Sequence, residues 1–519
     1  MEHFAYRNFE LCCERVPLPA LAADVGTPAY VYSKAALLES LLAYERAFAG
    51  VPHVVCYAIK ANSNLGVLGT LAKAGAGADI ASGGELYRAL RAGIPPKKIL
   101  FAGPGKTREE MRDALKADIL MFNVESAGEL RVLDAVAREM GVRAPVALRV
   151  NPDVDPQTHP YIATGLKSAK FGVPLAESVA TYEEAARLSG LEVVGVQMHI
   201  GSQLTKTAPW ADAVARVAAL VRTLRERKID IRVVDVGGGL GIRYREETPP
   251  THAEYATVLL PVLRELGVTV LVEPGRSIAG NAGVLLTRVL YRKDAGAKRF
   301  VIVDAAMNDL IRPALYDAWH EIRPVDEARL GGPVRVVDVG GGLGIRYREE
   351  TPPTHAEYAT VLLPVLRGLG VTVLVEPGRS IAGNAGVLLT RVLYRKDAGA
   401  KRFVIVDAAM NDLIRPALYD AWHEIRPVDE ARLGGPVETV DVVGPVCESG
   451  DFLAKDRQLA AAEEGDLLAV MSAGAYGFAM SSNYNTRPRA VEVLVDGSRY
   501  TIVRRRETYE DLVAGETIL

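Results

Sequence analysis

Residues 232–241 read Arg-Val-Val-Asp-Val-Gly-Gly-Gly-Leu-Gly, and residues 335–344 read the same. The identity continues, so that 232–334 recurs as 335–437 with one difference, Glu265 against Gly368. A unit of 103 residues is too long and too uniform for a solenoid, whose repeats run to roughly 20–50 residues and vary. It reads as one tandem duplication or as an error in assembling the gene, two origins that give the same protein sequence. Removing the 103 residues of one copy from 519 leaves 416, enough for two domains of ordinary size.

Working outward from the repeat, short β-branched runs alternate with amphipathic helical stretches. Strands are expected at 53–59, 78–81, 99–102, 119–123, 146–150, 193–199, 233–236 and 268–273. Helices are expected at 65–74, 125–139, 176–188, 211–227 and 252–266. The first helix illustrates the pattern, with Ser33 as its cap and Leu37, Leu41, Tyr44 and Phe48 on one face. Eight such units over about 220 residues point to an α/β fold, a closed (β/α)8 TIM-type barrel. Beyond Gly283 the runs at 284–291, 300–303 and 490–495 are β-rich. The expected division is a barrel over 27–282 and a mainly β domain over 1–26 and 283–519, the latter including the duplicated segment.

The count of eight bears on the repeat. Copy one supplies strands seven and eight directly after strand six, at the smaller loop cost, and is expected to complete the barrel. A barrel closed at eight has no place for a ninth and tenth strand. Copy two then becomes an insert after Gly331-Gly332-Pro333. Contiguous with the chain that follows, it can equally build the β domain and leave the middle 103 residues looped out. Whichever segment is left out exposes strand-forming runs such as 371–375 or 403–407.

Composition narrows the class. With 61 Lys+Arg against 64 Asp+Glu the net charge is −3, which gives no electrostatic footprint for nucleic acid or an anionic membrane. No stretch approaches the roughly 18 apolar residues of a membrane span. The N-terminal Met-Glu-His-Phe lacks the features of a secretory signal. Cys12, Cys13, Cys56 and Cys447 have neither disulfide-framework nor metal-ligand spacing. A cytoplasmic protein without a metal is expected.

The chemistry collects where strands end and loops begin. Strand one ends in Tyr57-Ala-Ile-Lys60-Ala-Asn62, and a lysine at an apolar mouth can lose its proton by desolvation and attack a carbonyl. A lysine snorkelling at the rim is the plain alternative. Strand six ends in His199-Ile-Gly-Ser202-Gln203, strand seven in the glycine run 237–239, and strand eight in Glu273-Pro-Gly275-Arg276. A glycine run admits an anion to backbone N–H groups. A reactive lysine, an anion cradle and a carboxylate at one mouth suit pyridoxal 5'-phosphate.

On these segments, with MNDLIRPALYDA (307–318), CESGD (447–451) and GAYG (474–477), the chain resembles the pyridoxal-phosphate decarboxylases of the alanine-racemase-like barrel fold, most closely the branch acting on diaminopimelate. The resemblance spans nearly the whole chain once one copy is removed. It implies that Lys60 holds the cofactor as a Schiff base and that His199 stacks on its ring. Ser202, Gly237, Gly238, Gly239, Gly275 and Arg276 would hold the phosphate. Glu273 would pair with the ring nitrogen; a glutamate there, where racemases of this fold use arginine, implies decarboxylation. Arg276, Arg312 and Tyr316 would bind the distal carboxylate and Glu448 the distal ammonium of meso-2,6-diaminopimelate, giving L-lysine and CO2. Cys447 would return a proton to the α-carbon, with an inert buried cysteine as the alternative, and Tyr476 would contact phosphate or substrate. Asp79 and Arg149 match a pair near the ring, or form a structural ion pair. The family brings Cys447 and Glu448 from a partner subunit, which implies a homodimer with shared sites.

The repeat supplies a second set, Gly340, Glu376, Arg379, Arg415 and Tyr419. The reading takes copy one for the barrel residues and for the Arg/Tyr pair. Two further functions stay open: a cofactor-binding homologue inactivated by the duplication, and a decarboxylase of another basic amino acid, of the ornithine, arginine or carboxynorspermidine type.

Overall fold

The computed structural model describes residues 3–518 apart from 155–169, 245, 296–297, 326–344, 349, 355, 358–377, 400 and 433. Eight parallel strands close on themselves: β1 His53–Ala58, β2 Gly77–Ile80, β3 Ile99–Phe101, β4 Met121–Val124, β5 Ala144–Asn151, β6 Leu191–Gln197, β7 Val233–Asp235 and β8 Thr269–Val272. Copy one thus supplies β7 and β8, and β8 pairs with β1 to shut the ring. Successive strand residues point to opposite sides. Cys56, Leu100, Met121, Ala147 and Leu271 meet inside the barrel, while Val55, Tyr57, Phe101 and Phe122 pack outward under the helices.

Local chemistry sets the helix starts. Ser33 accepts from the amide of Ala36 and opens 34–48, whose Leu37, Leu41, Tyr44 and Phe48 are all buried. Thr251 and Glu254 form a reciprocal capping box at 252–266. Two helices absent from the sequence expectation, Gly83–Arg91 and Arg108–Lys116, start in the same way at Ser82 and at Thr107 with Glu110. Among the described residues no helix is long and apolar enough to cross a membrane.

A separate six-stranded sheet follows, built from Leu388–Asp397, Arg402–Val406, Ile425–Pro427, Val437–Val443, Phe452–Ala460 and Leu467–Val470. Copy two supplies its middle strands. These lie next in sequence to 437–470, so the sheet forms with short closures, whereas strands from copy one would have to close a loop of more than a hundred residues. Copy two is therefore not the excluded insert. Its run at 403–406 is buried in the sheet, and its run at 371–375 lies outside the described residues.

The equivalent part of copy one stands apart. Gly283–Leu286 pairs with Ala29–Tyr32, and Val289–Ala295 forms a two-stranded hairpin with Lys298–Val303. Beyond the hairpin, Tyr6 donates to the carbonyl of Pro324 at 2.5 Å and Leu11 to that of Val325 at 3.1 Å. Val289, Tyr291 and Val301 on the hairpin are 55%, 60% and 56% exposed.

Candidate active site

Lys60 sits on the short turn Ile59–Ala61 directly after β1. Its Nζ lies 2.9 Å from Cys447 Sγ and donates to the Cys447 carbonyl at 3.3 Å. Burial works to lower the Lys60 amine, but Cys447, Asp79 and Glu448 outweigh it and hold the amine above the usual lysine range. Desolvation therefore does not free the amine, contrary to the expectation from an apolar strand end. Burial raises the Cys447 thiol against the opposing pull of Lys60 and Arg149, so it keeps its proton at neutral pH.

The resemblance implied that Cys447 and Glu448 come from a partner subunit. Both stand here in the same chain as Lys60. Their loop is fixed to the barrel by Lys170, whose amine donates to the carbonyls of Gly444, Val446 and Asp451 at 3.0–3.2 Å and pairs with Asp451 at 3.1 Å. Asn485 adds a second tie: its Oδ1 accepts from the Cys447 amide at 3.0 Å and its Nδ2 donates to Glu85 at 2.9 Å.

Behind Lys60 the barrel ends in buried acids. Glu273 is held well above the carboxylate range by burial and by Asp235 beside it, and burial lifts Asp235 to about 6. Asn123 Nδ2 donates to Asp235 at 2.9 Å and Glu273 at 3.2 Å, and Gln197 Nε2 to Glu273 at 3.4 Å. Asp79 is also raised, by burial and by Glu273. Arg149 pairs with Glu125 at 3.0 Å rather than with Asp79. His199 is pushed well below the usual imidazole range by burial, Arg149 and Lys60. Neutral, it accepts from the Gly238 amide at Nδ1, 3.2 Å away.

The glycine loop after β7 follows closely. Gly237 and Gly239 have φ of 70° and 103°, a region that disfavours side chains. A Cβ on Gly238 would meet the Glu273 carbonyl at 2.2 Å. The loop holding Ser202 is tied to this one by Leu204 N–H donating to Gly239 O at 2.9 Å and by Gln203 bonding Ile242 at both ends. Gly275 precedes Arg276 on the short helix after β8, and a Cβ there would touch Ala58 and Ala61 at 3.1 Å.

On the outer side, Arg276 Nη1 donates to Tyr244 OH at 2.6 Å, and Arg312 lies 5.0 Å over the same ring. Tyr484 OH donates to Glu448 at 3.1 Å. Tyr316 is raised above the phenol range by burial and by Glu448, against Arg312 and Arg276. Arg276, Arg312, Tyr316 and Glu448 thus surround one space with Lys60 and Cys447. Tyr476 does not join them: its ring lies 5.1 Å from Arg379 of copy two. Arg415 is buried against His423 at 2.8 Å, Tyr419 is exposed, and Gly340 and Glu376 lie outside the described residues.

The residues fit pyridoxal phosphate. Buried Asp79 Oδ1, Asn123 Oδ1 and Gln197 Oε1, around Glu273, have no hydrogen-bond partner, which leaves acceptors free near a ring N–H. The glycine cradle is too close for side chains and open to an anion. Asp235, Asn123, Gln197, Lys170, Tyr484 and Asn485 were missed by sequence reasoning. Of these only Asp235, next to the glycine run, carried a local signal.

The model of the pyridoxal-dependent decarboxylase pyridoxal binding domain matches residues 34–280 and again 314–383, and that of the C-terminal sheet domain matches 350–474. The chain is 47% identical to the diaminopimelate decarboxylase of Pseudomonas aeruginosa, with all of both chains covered. It is similar to the crystal structure of diaminopimelate decarboxylase from Helicobacter pylori complexed with L-lysine: 35% identity, TM-score 0.51, covering 96% of this chain and 98% of that one. The M. jannaschii structure in co-complex with L-lysine gives 31% identity and a TM-score of 0.53, covering 100% and 98%.

Proposed function

Because the chain belongs to the pyridoxal-dependent decarboxylases, we propose that the groups around Lys60 carry out the decarboxylation of meso-2,6-diaminopimelate to L-lysine, the last step of lysine synthesis. The observation that carries this reading is the Lys60 amine against the Cys447 thiol, in a space shared with Arg276, Arg312 and Glu448. When bound, pyridoxal phosphate supplies an aldehyde that condenses with amines and a protonated ring that accepts the electron pair left by CO2.

The chain's own residues do the rest. Lys60 would hold the cofactor through its amine. The glycine loops 237–239, Gly275, Ser202 and Arg276 would hold its phosphate, and neutral His199 would pack beside its ring. Glu273 would accept from its ring nitrogen, a cationic partner that favours the ionised carboxylate. Arg276 and Arg312, with Tyr316, orient the distal carboxylate. Glu448 takes the distal ammonium. The Cys447 thiol, kept protonated by burial, delivers a proton to the α-carbon.

An arginine-lined pocket disfavours ornithine or arginine, which lack a second carboxylate and would leave buried cations unpaired. Copy one lines this space with Arg312 and Tyr316 rather than filling it, which disfavours the inactive homologue. The division into a barrel at 27–282 and a β domain before and after it and a cytoplasmic location remain part of the proposal, whereas the shared-site homodimer gives way to the contact of Lys60 with Cys447 inside one chain. So does a tandem duplication as the origin of the repeat. The relatives align with this chain over their whole length and give the duplication no independent support; genomic reads across the junction at 334–335 test it.

Borohydride reduction of the purified holoenzyme followed by peptide mass mapping tests the site, with the pyridoxyl adduct expected on Lys60. Competition of diaminopimelate, ornithine and arginine for CO2 release tests the substrate. An adduct elsewhere, or a preference for ornithine, overturns the respective assignment.

A further inference from the structure

The two repeat copies pack on each other. The helix Arg312–Tyr316 of copy one touches its counterpart Arg415–Tyr419 of copy two. Ile311 and Leu315 share one apolar cluster with Ile414, Ala417 and Leu418, and Val446 beside Cys447 belongs to the same cluster. Identical segments meeting through equivalent side chains are what an isologous contact between two copies of a chain looks like. Here both halves of the contact belong to one chain.

Each copy also builds the same cation cluster. In copy one Arg276 donates to Tyr244 OH at 2.6 Å, Arg312 lies 5.0 Å over that ring, and Arg312 meets His320 at 3.3 Å. In copy two Arg379 donates to Tyr347 OH at 2.9 Å, Arg415 lies 4.9 Å over that ring, and Arg415 meets His423 at 2.8 Å. The rest of the site is not duplicated. The segment 57–62 with Lys60, the segment 199–203 with His199 and the segment 447–451 with Cys447 each occur once. The single Cys447 is engaged with the single Lys60.

We infer that the repeat makes each chain a tethered pseudo-dimer. Copy two, with the sheet domain attached, docks on the barrel as a second subunit would. It completes one reaction site from one chain and leaves a second arginine cluster with no lysine of its own. The tether holds the sheet domain at an effective concentration far above that of free protein, so docking within the chain outcompetes docking between chains. This rests on the assignment of Lys60 and Cys447 to one reaction site and adds that the reaction needs no second chain.

The test reads assembly apart from activity. Tyr87 on the barrel helix Gly83–Arg91 and Tyr509 on the C-terminal helix Tyr509–Val513 have ring centroids 5.5 Å apart and are half-buried. The holoenzyme of the Tyr87→Cys/Tyr509→Cys variant is treated with a short bis-maleimide and run on a denaturing gel. A joined peptide pair spanning positions 87 and 509, found by mass spectrometry in the band at the single-chain mass of 55.8 kDa, is expected. Product at twice that mass, or no cross-link, overturns the inference. In a second arm, chains bearing Lys60→Ala and Cys447→Ala are co-expressed. CO2 release no greater than that of either variant alone is expected, and recovery to about a quarter of wild type or more overturns the inference. An inactive wild type that still cross-links within the chain counts against the decarboxylase reading alone.

Discussion

Lys170 Nζ stands 3.1 Å from Asp451 Oδ2, an ion pair with both side chains buried. The same amine holds the carbonyls of Gly444, Val446 and Asp451, while Asp451 accepts from the amides of Met410 and Val446. One barrel side chain therefore fixes both ends of the loop that carries Cys447 and Glu448. Breaking a buried pair by removing one partner costs about 3–5 kcal/mol. Lys170→Met is expected to lose that much in urea unfolding. Its kcat for CO2 release should fall steeply while the bound chromophore remains.

Arg312 and Arg415 are the same residue of two copies, but only Arg312 shares a space with Tyr316, Glu448 and Arg276. A hydrogen bond to a charged group contributes roughly 1.5–3 kcal/mol, so Arg312→Ala should raise KM for diaminopimelate by about 10- to 100-fold. Arg415→Ala should leave KM within about twofold and instead lower the melting temperature, because Arg415 is buried against His423. Steady-state kinetics and thermal melts on both variants check this.

Glu273, kept neutral by burial beside Asp235, loses no charge on replacement by an amide. Glu273→Gln is expected to keep folding stability within about 1 kcal/mol. It should lower kcat by about 10- to 100-fold through loss of the charged partner for the ring nitrogen. Parallel melts and CO2 assays separate the two effects.

Burial depresses the Lys396 amine to about 8, although it donates to the carbonyls of Lys170 at 2.8 Å and Gly172 at 2.6 Å. In an unfolded chain a lysine titrates near ~10.4. Between these values the unfolded chain binds more protons than the folded one, so stability rises with pH from about 8 to about 10. Relative to Lys396→Met, wild type should gain roughly 3 kcal/mol across that window, measured by denaturant unfolding at each pH.

The hairpin of Val289–Ala295 and Lys298–Val303 presents an exposed apolar face, whereas the same sequence in copy two is buried in the sheet. Limited proteolysis with mass spectrometry should cut within 287–304 before 390–407. Tyr291→Lys should raise solubility without altering kcat.

Much of this protein was legible in the chain. All eight barrel strands lie within a few residues of the runs read from β-branched composition, because strands under a helical layer are near-continuous apolar segments. Lys60, His199 and Glu273 were found because each ends such a strand. Lys170 and Asn485 left no trace, since their roles arise from contacts with residues hundreds of positions away, and Tyr484 left none because its partner Glu448 lies 36 positions off. Arg149 looked like a partner for Asp79 but pairs with Glu125, a choice among buried acids that spacing does not encode.

The sequence by itself determined the barrel, the reactive strand ends and the existence of two copies. By the smaller loop cost it favoured copy one for closing the barrel, but it did not determine what copy two becomes. Two identical segments have identical propensities, periodicities and caps, so no local term distinguishes them. Only tertiary structure decided that copy two builds the sheet, through the neighbours each copy meets. For the same reason only tertiary structure placed Cys447 against Lys60 of its own chain.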